Sequence, residues 1–230
     1  MLDSFRDTFR LPDLKRRILF TLAALFVYRL GAHVPTPGVD AAALGRLFDQ
    51  GSILGFLDLF AGGALSRFSI FALGVTPYIN SSIVMQLLAV VVPSIEKLQK
   101  EGEEGRKKIV QWTRYGTIIF AFIQAVGMTG WLRGLGIYTG SFMDIILVSL
   151  TLTTGAVAVM WLGEIMSDHG IGNGISLLIF AGIVVRIPEA VVRTFSLVRL
   201  GEMNALVLLL AIAVMLAVVA GCVMLQEGQR

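Results

Sequence analysis

Six long apolar runs, separated by short charged segments, constrain the fold of this chain more than any other feature. A helix needs about 20 largely apolar residues to cross the hydrocarbon core of a membrane. The chain is 56% hydrophobic and 15% charged, whereas an average soluble domain is about a quarter charged. These features predict an all-α polytopic membrane helical bundle with about six transmembrane helices. The six runs lie at 18–34, 68–92, 112–132, 142–165, 171–185 and 203–225, and the fifth is the shortest.

Lys and Arg residues are distributed unevenly between the loops, and short cytoplasmic loops retain such residues. The segment before the first run carries five, and the loop between the second and third runs carries six, counting Arg114 at its edge. Together with Arg230, one side holds twelve and the other holds seven. This bias predicts that both ends of the chain are cytoplasmic. The first run lacks a small-residue cleavage site, so we interpret it as a retained span and not as a signal peptide.

The second run contains Pro77 and several polar side chains in its first half. Proline cannot donate a backbone hydrogen bond and its ring crowds the preceding turn, so we expect a carbonyl near Leu73 to lose its partner. Such a group is tolerated at membrane depth where protein buries it or water wets it. The run therefore either lines a polar path or forms a proline kink packed against neighbouring helices. The residues alone leave both interpretations open.

The stretch 52–67 is apolar but is interrupted by Asp58, Gly62 and Gly63. It is too short to cross the membrane and return, yet too apolar for an ordinary exterior loop. We predict a short re-entrant or interfacial helix. Taken alone, the pattern favours an interfacial helix resting on the outer leaflet.

The pattern of reactive side chains indicates no enzymatic activity, no metal site and no cofactor. The two histidines, His33 and His169, are predicted to lie on opposite membrane faces, and no cluster of metal ligands accompanies either. The Gly-rich run 170–175 has Ile175 where a phosphate-binding loop needs its third glycine, and no Lys-Ser or Lys-Thr pair follows. A tight turn between two membrane helices accounts for it better.

Charged residues near the predicted membrane boundary have a simple interpretation. Glu164 and the mixed charges of 101–108 are expected to form solvated surface. The alternative for 101–108 is a docking site for a cytoplasmic partner. The single cysteine, Cys222, lies in an apolar run and is expected to be a small core residue.

Several unbroken strings of the sequence are similar to those of the SecY family of bacterial protein-conducting channels, and they occur in the family's order. This resemblance implies a channel through which unfolded preproteins cross the membrane and from which hydrophobic segments enter the lipid sideways. The strings are AGGALSR at 61–67, IFALGVTPYI at 70–79, KEGE at 100–103, RYGT at 114–117, WLGE at 161–164 and GIGNGIS at 170–176.

The resemblance also assigns roles to particular residues. It implies a plug at about 52–67 that closes the pore from outside, with the matching residues Phe56, Phe60, Gly62, Gly63 and Ser66. It implies an apolar constriction ring that includes Val75, Ile79, Ile175 and Ile179. It implies a polar cluster at a lateral gate that includes Asn80 and Gln124. The chain departs from the family where Val75 replaces the commoner isoleucine and Asn80 replaces a small hydroxyl residue.

The partners and location that the resemblance implies are those of a bacterial translocase. They are the SecE and SecG subunits, the SecA ATPase, the ribosome, preprotein signal sequences and membrane lipid, with no specific nucleic-acid binding, in the bacterial inner membrane. The family has two inverted halves of five spans. Residues 1–190 match the first half, and 203–230 match the sixth span, which begins the second half. We therefore expect the chain to be part of a longer protein and not an independent half-size channel.

Two other functions fit a polytopic helical protein. A secondary transporter also uses inverted repeats and broken helices, but it needs a charged intramembrane site for its coupling ion, and the spans show no convincing buried Asp, Glu or Lys. An intramembrane protease needs a nucleophile and a base on the same side, and the sequence offers no such pair.

Overall fold

A computed structural model describes residues 12–39, 44, 58, 62–138, 140–201 and 204–228. Within these residues the regular structure is helical, apart from an isolated antiparallel bridge between Pro35 and Ser69. The all-α prediction is confirmed. The chain divides into two compact units, Met1–Val185 and Arg186–Arg230. The helices are α1 Pro12–Gly31, α2 Thr76–Val91, α3 Pro93–Lys100, α4 Glu103–Gly134, α5 Phe142–His169, α6 Gly174–Val184, α7 Ile187–Arg199 and α8 Ala205–Glu227.

By length and composition, the described helices include four or five candidate membrane spans, against the about six that we predicted. α2 and α3 meet at an angle of 101° and count as a fifth span if the bent pair is taken together. α1 is not among the five because its 20 residues include Lys15, Arg16, Arg17 and Arg29. Its crossing stays a prediction. The four stretches that are long and apolar enough on their own are Glu103–Gly134, Phe142–His169, Gly174–Arg199 and Leu206–Glu227.

The second apolar run does not form a helix along its whole length. Residues 62–75 form a series of turns, and α2 begins at Thr76 and not at Phe68 as predicted. The turns are held by backbone bonds to the segment after α1. The Thr36 N–H donates to the Phe68 carbonyl over 2.9 Å, and the Ile70 N–H donates to the Val34 carbonyl over 3.0 Å. These distant partners satisfy backbone groups that a helix would otherwise have paired locally.

Pro77 therefore starts a helix and does not kink one. It lies in the first turn of α2, where its missing N–H would have had no partner in the helix and its fixed φ suits the conformation. The Leu73 carbonyl accepts a bond from the Thr76 N–H over 3.4 Å, so the predicted loss of its partner is wrong. The proline-kink interpretation is also wrong, because Pro77 lies in the first turn of the helix and not in its interior.

Small side chains bring the helices of the first unit close together. Thr117, Ala121, Ala125 and Thr129 are buried at intervals of four residues along α4, and this spacing puts them on one face of the helix. Small residues allow membrane helices to approach closely. α2 also packs on α4, where the Ser81 hydroxyl donates to the Thr113 carbonyl over 2.7 Å. The result is a bundle in which α4 contacts both α2 and α5.

The second unit consists of α7 and α8, and its side chains are mostly exposed. α7 has no buried residue. Cys222 in α8 is exposed, so the expectation that it is a core residue is wrong. Most apolar side chains of α8 are exposed, and Leu209, for example, is 71% exposed.

Candidate functional site

Four aliphatic side chains, two at the start of α2 and two on α6, lie in one apolar cluster. Val75 is the residue before α2 and is 6% exposed, while Ile79, in the first turn, is partly buried. Ile175 and Ile179 are partly buried on α6. We refer to these four as the ring residues. The structure brings all four into contact with the same core, which is formed by the buried side chains of Ala24, Tyr28, Phe71, Val159, Met166 and Leu178.

Local sequence explains why the two helices begin where they do. Gly74 has φ +53°, a conformation that glycine adopts without strain, and it turns the chain just before α2. At α6, the Asn173 side chain caps the helix by accepting a bond from the Ser176 N–H over 3.1 Å. The Gly174 N–H donates to the Ser167 hydroxyl over 2.9 Å. The Gly-rich run before α6 is thus a turn between two helices, as predicted.

The described part of the predicted plug is a compact loop built around Asp58. The Asp58 carboxylate accepts bonds from the Leu65 N–H over 3.0 Å and the Ser66 N–H over 2.9 Å. The Asp58 backbone carbonyl accepts a bond from the Gly63 N–H over 3.2 Å. Gly62 and Gly63 are buried and Ser66 is partly buried. Residues 62–67 are turns and not helix, so the prediction of a helix is wrong for them. The predicted plug residues Phe56 and Phe60 lie outside the described residues.

The predicted polar pair is spread over two packed helices. Asn80 lies in α2 and Gln124 lies near the middle of α4, and both side chains are partly buried. The Gln124 carbonyl oxygen is buried and has no hydrogen-bond partner among the described residues. The structure therefore does not join the two residues through that oxygen. A buried amide oxygen without a hydrogen-bond partner costs free energy.

Comparison with known proteins decides the family. The family model described as SecY matches residues 69–230, which is more than half of the chain. The chain belongs to the SecY family. The protein translocase subunit SecY of Escherichia coli strain K12 is 47% identical over 228 residues, covering 96% of this chain and 51% of the relative. The chain thus spans about half the length of that SecY relative.

Solved structures show the same fold. Sec61 in the canine ribosome-channel complex from the endoplasmic reticulum is similar with a TM-score of 0.54 and 23% identity. A solved structure of a protein conducting channel gives the same two values. Each likeness covers 74% of this chain and 36% of the other. At this identity the likeness supports the SecY-type fold of the bundle and not a shared partner or activity.

One ion pair of this SecY-family chain was not predicted from the sequence. Glu164 was expected to be solvated, but its side chain is only 14% exposed and pairs with Arg114 of α4. A signal for this pair exists. α4 and α5 are consecutive antiparallel helices, and Arg114 near the start of one and Glu164 near the end of the other fall at the same end of the bundle. By contrast, all the charged residues of 101–108 are exposed, as expected.

In the part of the chain that the structure describes, no group of three or more His, Cys, Asp or Glu side chains could hold a metal ion. His33 is engaged with the Arg29 carbonyl over 2.8 Å, and the ring of His169 lies 5.9 Å from that of Phe20.

Proposed function

We propose that the protein to which this chain belongs is the central subunit of a protein-conducting channel. It would move unfolded preproteins across the bacterial inner membrane and release hydrophobic segments sideways into the lipid. The observation that carries this proposal is the meeting of the four ring residues in one apolar cluster, in a chain of the SecY family.

The chemistry of the ring residues suits such a path. A translocating chain presents side chains of every size and charge, so fixed polar contacts would trap some of them. Contacts between aliphatic groups are non-directional, and a narrow apolar constriction resists water and ions by dewetting. Ile79, Ile175 and Ile179 each keep part of their surface uncovered, so a passing chain or the rest of a ring can contact them.

The plug and the gate are the two other parts of this proposal. The loop around Asp58 belongs to the plug at about 52–67, which would close the path from outside at rest. Asn80 and Gln124 belong to the polar cluster at the lateral gate. When the gate opens, the buried Gln124 oxygen would meet a polar group of the facing half or of a bound signal sequence, which would relieve the cost of its burial.

The chain supplies one half of this channel together with one further span. Residues 1–190 would form the N-terminal five-helix half, and 203–230 would form the sixth transmembrane helix. The facing gate helices and the other ring residues would come from the remainder of the longer protein. The N-terminus would be cytoplasmic, as the bias of Lys and Arg suggests.

The proposed partners are the SecE and SecG subunits, the SecA ATPase, the ribosome, preprotein signal sequences and membrane lipid. The channel itself would be neither an enzyme nor a cofactor protein, and its motor partners would spend the nucleotide. The secondary-transporter alternative is not favoured, because family and fold both match the translocase.

Reconstitution of the full-length protein tests the proposal. Proteoliposomes that contain it with SecE, SecG, SecA and ATP should protect an added preprotein from external protease. The same preprotein without its signal sequence should stay digestible. Equal protection of the two, or protection of neither by a correctly folded complex, would contradict the proposal.

A further inference from the structure

Two glycines bring the loop around Asp58 into direct backbone contact with α6. Gly62 has φ +62°, and a Cβ added there would lie 2.9 Å from the Gly182 Cα and 3.2 Å from the Gly182 carbonyl oxygen. Both glycines are buried. A separation below 3.0 Å leaves no room for a side chain on Gly62, because real Cβ atoms do not approach backbone atoms so closely.

Gly182 occupies a particular place on α6. It follows Ile179 by three residues and Ile175 by seven, and these intervals put all three on one face of a helix. The face that carries two ring residues therefore continues to the site where Gly62 packs. One helical turn, about 5.4 Å, separates neighbouring positions along such a face. The loop thus meets α6 about one turn beyond the ring.

Polar contacts fix the loop at this place. Arg29 of α1 donates from Nη1 to the Gly62 carbonyl over 2.9 Å. Asp58 is 1% exposed and holds the N–H groups of Leu65 and Ser66. Hydrogen bonds to charged groups are stronger than those between neutral groups. The loop is therefore tied to α1 on one side and seated on bare backbone of α6 on the other.

We propose that Gly182 and Arg29 are positioning residues that seat the loop formed by Asp58 and 62–66 directly beyond the ring. The absence of a side chain at Gly62 and Gly182 allows the loop to approach α6 along the ring-bearing face. Arg29 then holds the Gly62 carbonyl in that position. This proposal rests on the proposed function for its consequence, since a loop seated there would cover the path that the ring residues surround.

The test uses the full-length protein in proteoliposomes, with Cys222→Ser, any other cysteines removed and Ser66→Cys as the reporter. Gly62→Ala puts a methyl group against Gly182, and Gly182→Leu adds a side chain to the other partner of the contact. The matched control is Gly102→Ala, because Gly102 has φ +77° and nothing within 4 Å of an added Cβ. It also places a side chain on a glycine with positive φ, but without the contact.

We expect Gly62→Ala and Gly182→Leu to raise the alkylation rate of Cys at 66 by about tenfold, the factor that a 1.4 kcal/mol shift in an equilibrium produces. Arg29→Gln should raise it too, and Gly102→Ala should leave it unchanged. Melting temperature in detergent identifies variants that fold, and Gly182→Ala replaces Gly182→Leu if the larger residue prevents folding.

A second measurement separates this proposal from the proposed function. Resting ion conductance in planar bilayers should rise together with the alkylation rate. Faster alkylation without a change in conductance would contradict the role of the loop as a plug and leave the seat in place. An alkylation rate in folded Gly62→Ala and Gly182→Ala that equals the rate in Gly102→Ala would overturn the seat.

Discussion

Arg114 in α4 and Glu164 in α5 form an ion pair across 50 residues of sequence. Arg114 Nε donates to Glu164 Oε1 over 3.0 Å, and Nη2 lies 3.0 Å from Oε2. The Glu164 side chain is 14% exposed and that of Arg114 is 48% exposed. Glu164 is therefore largely shielded and Arg114 is about half exposed. The pair joins the ends of two helices without a fully buried charge.

The coupling between Arg114 and Glu164 can be measured by a double-mutant cycle. Hydrogen bonds to charged groups contribute more than neutral ones, but partial exposure screens the attraction, so we expect a coupling of about 1 kcal/mol. Thermal unfolding in detergent of Arg114→Met, Glu164→Gln and the double variant measures it. Additive effects of the two changes would show that the pair contributes nothing.

Gly155 is predicted to resist any side chain. A Cβ there would overlap the Ile70 carbonyl oxygen, in the non-helical segment that packs on α5. Because backbone must shift to make room, Gly155→Ala should destabilise the protein by about 1–3 kcal/mol. Gly127→Ala in α4 is the control, since nothing lies within 4 Å of its added Cβ. Equal melting temperatures of the two variants would contradict the packing described for 62–75.

The orientation of the chain is open to chemical labelling. In a background with Cys222→Ser, a cysteine at Lys97 or Lys107 should be protected from an impermeant thiol reagent in intact cells, since the positive charges of this region favour the cytoplasm. A cysteine at Arg67 should be labelled from outside. Efficient external labelling at Lys97 together with protection at Arg67 would contradict the predicted orientation.

Deletion of the plug tests the assignment of 56–66 in the full-length protein. Translocation should persist, while ion leak should rise or discrimination between signal sequences should relax, because the path would lose its outer closure. Loss of all membrane-inserted protein would instead indicate that the segment is a structural packing element. Asp58, Gly62 and Gly63 are buried, so the deletion removes packed residues as well as the proposed plug.

The sequence predicted the helical class and most helix positions because long apolar runs have few other solutions in a membrane. It failed where an apolar run is not one element. Residues 68–75 are as apolar as the helix that follows, and their turns depend on hydrogen bonds to Val34 and Thr36. Hydrophobic periodicity reports burial and not the partner of each backbone group, so it could not find the start of α2 at Thr76.

The candidate site was predicted unevenly for a similar reason. The family resemblance grouped Val75 and Ile79 with Ile175 and Ile179, and the structure brings them into one cluster. The resemblance did not predict the contact of Gly62 with the α6 backbone. That contact depends on the distance between two segments far apart in the chain, which local pattern does not encode.

The central claim, that the ring residues surround the translocation path, is tested most directly by resting conductance of the full-length channel in planar bilayers. Ile79→Ser and Ile175→Ser introduce hydroxyl groups that favour water in the constriction. Leu209→Ser is the control, because Leu209 is 71% exposed on α8 and outside the cluster. We expect a higher resting conductance than that of the unsubstituted channel in the two ring variants, and no increase in the control. Unchanged conductance in correctly folded Ile79→Ser and Ile175→Ser channels would contradict the central claim.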